Sequence, residues 1–144
     1  MTSQLNVDTI VDKAGSGGTN VKVANTSTYV SDGGAVTQNT VQGLAKAFLA
    51  YKGTSTNSIY DSNNIASVTD VATGKQTPNF TNNFNGANDY SAVGFAQQDT
   101  GGGGRNVAGI SSPATSNRPY NSVNLGNTLT DMEWINFSYH GDLA

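Results

Sequence analysis

Few residues of this chain carry chemistry, and they are thinly spread. His140 is the only histidine and cysteine is absent, so disulfides and thiolate metal sites are excluded. A nucleophile–base pair would have to be built around that one imidazole, which sits at the end of the last strand-like run and reads most simply as a surface strand residue. Asp61, Asp70, Asp89, Asp99, Asp131 and Glu133 offer carboxylate pairs of the kind glycoside cleavage needs at a set separation. All lie near turn signals, where short acids cap the backbone. Asp61-Ser62-Asn63-Asn64 starts like a calcium loop but lacks its glycine and its distal glutamate. The glycine run 101–104 has no Lys-Ser/Thr after it, so it is not a phosphate-binding loop. Asn25-Thr26-Ser27, Asn79-Phe80-Thr81 and Asn136-Phe137-Ser138 match the N-glycosylation sequon, a match that a chain rich in Asn and Thr meets by chance. Recognition remains. Arg105, Arg118 and Tyr120 lie in or beside loop-like stretches, and a planar guanidinium and an aromatic face suit a sugar. No catalytic residue, cofactor or metal is expected.

The composition says what must position such residues. Asn, Thr, Ser and Gly supply close to half of the 144 residues, which disfavours long helices and favours short strands between tight turns. Hydrophobic residues make up 35% of the chain, little for a lone monomer to bury, so either part of the chain is not globular or subunits share a core. A net charge of −3 with no basic patch speaks against nucleic-acid binding. Residues 1–12 lack the basic start and apolar stretch of a signal peptide. No apolar run reaches the length of a membrane span, so no membrane insertion is expected.

Along the chain, residues 1–40 read as an extended arm that cannot form a core alone. Leu5, Val7, Ile10, Val11, Val21 and Val23 are its candidate contacts for oligomerisation. Asp32-Gly33-Gly34 marks a turn. Residues 41–53 fit a helical period through Val41, Leu44, Phe48 and Lys52, and equally a strand face through Ala45, Ala47, Leu49 and Tyr51. Residues 65–71 and 76–81 predict a hairpin across 72–75. Residues 90–97 predict a strand with Tyr90, Ala92, Gly94 and Ala96 on one face and Val93 and Phe95 on the other. Residues 132–140 predict the strongest strand, with Ile135, Phe137 and Tyr139 opposite Trp134, Asn136, Ser138 and His140. The stretches 101–105 and 111–122 read as long loops.

Two stretches carry a resemblance. Ser3-Gln4-Leu5-Asn6-Val7-Asp8-Thr9-Ile10, followed by a glycine-rich break, resembles the start of tail-fibre and virion-appendage proteins of marine and cyanobacterial bacteriophages. Lys46-Ala47-Phe48, Tyr51, Gly53-Thr54, Asp61-Ser62-Asn63-Asn64-Ile65, Ser67-Val68-Thr69-Asp70, Thr73-Gly74, Asn79-Phe80-Thr81 and Tyr90-Ser91, with Asn136-Phe137-Ser138-Tyr139-His140-Gly141-Asp142 at the end, resemble a fibre-tip domain in order. Phe48 stands where that pattern has Trp, and residues 101–122 have no counterpart. The resemblance implies a strand over residues 46–51.

The expected fold is all-β: an extended N-terminal arm, 1–40, followed by a small antiparallel β-sandwich, 41–144, with Leu49, Tyr51, Val68, Phe80, Phe95, Ile135 and Phe137 in its core. The expected function is that of a non-enzymatic virion protein, a short homotrimeric tail-fibre subunit for host attachment. It would be made in the host cytoplasm and anchored to another virion protein through the arm. The alternatives are a capsid head fibre or cement protein, and a polysaccharide-cleaving fibre tip.

Overall fold

The computed structural model describes residues 28–30, 37–97, 105–106 and 112–144. The arm positions Leu5, Val7, Ile10, Val11, Val21 and Val23, the turn at residues 32–34 and the glycine run 101–104 lie outside them. The chain divides into two compact units, Met1–Val41 and Gln42–Ala144. In the first, β1 (Thr28–Val30) pairs antiparallel with β2 (Thr37–Asn39), Tyr29 opposite Gln38. One helical turn, Thr40–Gly43, precedes the strands of the second unit.

The second unit is an antiparallel β-sandwich, as its composition and turn spacing predict. One sheet holds β3 (Ala45–Lys52), β4 (Ser58–Asn63), β7 (Tyr90–Gln97), β8 (Arg105–Asn106) and β10 (Trp134–Gly141), in the order β4-β3-β10-β7-β8. The other holds β5 (Ile65–Ala72), β6 (Lys75–Phe80) and β9 (Tyr120–Asn121), in the order β5-β6-β9. The strand reading of residues 46–51 holds: Ala47, Leu49 and Tyr51 point inward with period two. The predicted hairpin is β5–β6, with Ala72 opposite Lys75.

Turn chemistry is local and specific. Gly74 takes φ +66°, and a Cβ there would stand 2.6 Å from both Ser122 O and Thr130 N, so only glycine fits. Its N–H donates to Asp131 Oδ1 at 2.6 Å, and its carbonyl accepts from the Ser122 N–H at 2.8 Å. Asn64, at φ 57°, is the single residue between β4 and β5 and turns the chain from one sheet to the other. Its amide grips the Asn82 backbone at both ends: Nδ2 donates to Asn82 O at 3.1 Å and Oδ1 accepts from the Asn82 N–H at 2.7 Å. An Asn tolerates the left-handed conformation and supplies the bonds that hold it.

The core lies between the sheets. Leu49, Tyr51, Phe80, Ile135 and Phe137 are buried as expected, with Ala47, Phe84, Tyr90, Tyr120, Met132 and Tyr139, while Val68 packs partly buried against them. Rings join the two sheets: Tyr120 meets Phe137 at 4.8 Å between centroids, and Phe80 meets Tyr139 edge-on at 5.2 Å. Phe95 corrects the core expectation. It is 58% exposed, because β7 turns Tyr90, Ala92, Gly94 and Ala96 inward and period two then sends Phe95 outward.

Candidate functional site

The three residues expected to grip a receptor are not brought together. Tyr120 is 1% exposed and packed in the core, so its ring serves the inter-sheet contact and offers no face to a ligand; this corrects its expected surface role. The cause is local: Tyr120 pairs with Gln76 in β9, and the alternation that buries Gln76, Pro78 and Phe80 on β6 carries Tyr120 inward beside them. Arg118 is half-buried. Its guanidinium carbon lies 5.4 Å from the centre of the Tyr90 ring, a cation–π distance. Arg105 pairs with Gln97 at the edge of the five-stranded sheet.

The stretch 112–119 is pinned to the body of the domain. Phe80 N–H donates to Ser116 O at 2.8 Å, Phe84 N–H to Thr115 O at 2.9 Å, and Arg118 N–H to Pro78 O at 3.1 Å. The Tyr90 hydroxyl reaches Ala114 O at 2.9 Å and Asn117 O at 3.2 Å. Polar composition is here spent on backbone pairing alongside β6, which a loop reading from composition alone does not foresee.

Acids whose partners are defined are held by neighbours. Asp131 accepts from Gly74 N–H and from Gln76 Nε2 at 3.2 Å, and Asp61 accepts from Ser62 N–H at 2.8 Å. Among the described residues no three His or acidic side chains gather in a cluster able to hold a metal ion. His140 Nε2 lies 3.0 Å from Ser138 Oγ on the same strand.

The outward face of the five-stranded sheet is the conspicuous surface. Because Ile135, Phe137 and Tyr139 point inward, Trp134, Asn136 and Ser138 point outward. Ser138 stands between Phe48 on β3 and Val93 on β7, and Asn136 between Ala50 and Phe95. Val93 is 67% exposed, and Phe48 and Phe95 are also open. Two apolar flanks thus border a neutral polar row, with no ionisable group among the six positions.

At the Trp134 end the chemistry changes. The register between β3 and β4 slips between Ala50 and Tyr51, leaving Tyr60 unmatched in the ladder. Such a bulge redirects a side chain. Tyr60 stacks on Trp134 with ring centroids 5.0 Å apart and planes inclined by 25°, and both rings stay about half open to solvent. Glu133, beside Trp134 in sequence, accepts from the Thr54 hydroxyl and from the Tyr60 hydroxyl at 3.4 Å, and pairs with Lys52 Nζ at 3.1 Å. The Thr54 hydrogen bond, and then Lys52, hold its carboxyl below the usual glutamate range. Alternation along residues 132–140 already turns Trp134 outward. Tyr60, Lys52 and Thr54 come to Trp134 and Glu133 only through the bulge and the strand order, which no local pattern shows.

The chain matches no protein-family model, and comparison with curated proteins and with solved structures finds no match.

Proposed function

We propose that this chain is a non-enzymatic structural protein of a bacteriophage virion, a short trimeric fibre subunit that attaches the particle to its host. The observation that carries the reading is the uncharged stretch in the middle of the outer face of the five-stranded sheet. Phe48, Val93 and Phe95 stand open around Asn136 and Ser138. Interface cores between subunits are depleted of charge and rich in aromatic residues in this way, and an exposed apolar patch marks an interaction surface. The thin hydrophobic content of the chain supports the same reading, since copies that share a surface bury what one copy leaves open. So does the ordered resemblance to fibre-tip domains, whose motif residues fall on strands and turns of one domain.

In this reading the arm docks to another virion protein, and the distal domain meets a glycan or other receptor on the cell. Antibody raised against the purified chain tests it by labelling of intact particles under the electron microscope. Label on tail fibres, with antibody fragments that block adsorption, is the expected result. Label on the capsid moves the protein to the head, and absence of label from particles overturns the reading.

A further inference from the structure

The two parts of the outer sheet face differ in what can cover them. Asn136, Ser138 and their neighbours on β3 and β7 carry no ionisable group. Beside Trp134, the Lys52 ammonium and the Glu133 carboxylate stand 3.1 Å apart next to the ring pair. A protein surface closing over that end would strip water from the Lys52 ammonium, whose side chain is 30% exposed, and from the small open part of Glu133, a desolvation that interface cores avoid. A saccharide has no such difficulty. Its C–H faces pack on aromatic rings, while its hydroxyls both donate and accept, replacing water at an ammonium and a carboxylate together.

We propose that Tyr60, Trp134, Lys52 and Glu133 form a binding subsite for a pyranose unit of a surface polysaccharide. This rests on the attachment reading and names its ligand class. The ring pair carries the apolar face of the sugar, and Glu133 and Lys52 take its hydroxyls. The subsite is held before a ligand arrives. Glu133 is fixed by Thr54, Lys52 and Tyr60, and Tyr60 is fixed by Trp134, so little side-chain freedom remains to be lost on binding. A single such site binds weakly, and several copies on one fibre convert weak sites into firm attachment.

Trp134 is the only tryptophan of the chain, so its fluorescence reports on this subsite alone. The purified full chain is titrated with glucan, mannan and galactan oligosaccharides to about 10 mM, a range that covers weak single-site affinity. The expected result is a saturable blue shift with at least one of them. Tyr60→Ala then weakens that binding about tenfold or more, which is about 1.4 kcal/mol, while Tyr60→Phe, which keeps the ring, retains it. Val71→Ser, at an exposed position of β5 in the other sheet, leaves it unchanged, and circular dichroism confirms the fold of each variant. Emission unmoved by every oligosaccharide overturns the proposal, as does a Tyr60→Ala variant that binds like the parent. So does a shift produced by protein concentration alone, which would mean that another copy covers the rings. Antibody labelling of particles reads the attachment role separately, so failure of the one is not failure of the other.

Discussion

Phe137 lies directly opposite Gly94 in the β10–β7 ladder, and its ring fills the space a side chain at Gly94 would need. A Cβ there would stand 2.3 Å from Phe137 Cδ1 and 2.5 Å from Asn136 O. The relationship repeats along the pair. Ala96 faces Ile135 and Ala92 faces Tyr139, and at the far end the sizes reverse, with Tyr90 facing Gly141. Small residues on β7 make room for large ones on β10, so the inner face is filled without overlap. Gly94→Val is therefore expected to lower stability by about 1–3 kcal/mol through overpacking, read as an earlier midpoint in urea unfolding. An unchanged midpoint would show that Phe137 has room to move.

Asn64 is expected to matter beyond its backbone conformation. Asn64→Gly keeps the left-handed turn but loses both bonds to Asn82, and a loss of about 1–2 kcal/mol follows from two hydrogen bonds of ordinary net worth. Asn64→Ala adds strain at positive φ and falls further, by about 1 kcal/mol or more. Urea midpoints in the order parent, glycine, alanine check this. Equal midpoints for the two variants would remove the conformational part of the explanation.

Local pattern reads this fold well because strands declare themselves by period two. The inward set Ile135, Phe137 and Tyr139, the hairpin at Thr73-Gly74 and the β7 faces are visible in the order of residues. The same alternation turns Phe95 outward, so its placement in the core contradicted the pattern it sat in. What the pattern could not show was pairing across the fold. Tyr120 looks like a loop aromatic until β9 joins β6, and the loop around Arg118 looks free until its backbone bonds to Pro78, Phe80 and Phe84 are drawn. The Tyr60–Trp134 pair depends on a one-residue slip between two strands, and a slip leaves no mark in composition.

Tyr120→Phe is expected to be neutral or stabilising. The Tyr120 hydroxyl is buried without a protein hydrogen-bond partner among the described residues, so its removal discards a desolvated polar group and leaves the ring against Phe137. Tyr120→Ala, which deletes the ring, should cost about 3–5 kcal/mol, in the range of large core truncations. Thermal melts of the two variants decide it, and a marked loss in Tyr120→Phe would reveal a partner for the hydroxyl.

The domain should lose stability in alkali. Burial raises the Tyr51 hydroxyl to about 12, with Asp70 and Asp131 adding to the shift, and burial also pushes Tyr120 and Tyr139 upward. A buried tyrosine is neutral, and the unfolded chain releases its proton near pH ~10. The contribution is thus whole below about pH 10 and is lost as pH climbs through the folded value. Melting temperatures across the alkaline range should hold and then fall above about pH 10. In parallel, phenolate absorbance should show these three tyrosines ionising only above the ordinary phenol value of about 10. A flat profile, or early ionisation of all tyrosines, would contradict their burial.

The central claim, that copies of this chain meet in a trimer through the uncharged stretch of the outer sheet face, is tested most directly by light scattering of the purified full chain. A mass three times the 14.9 kDa of one chain is expected for the parent at micromolar concentration. A lower mass is expected when Val93 and Phe95, both open on one copy, are together replaced by serine. A parent protein that runs as a single 14.9 kDa chain, or a trimer that the double replacement leaves intact, would contradict the claim.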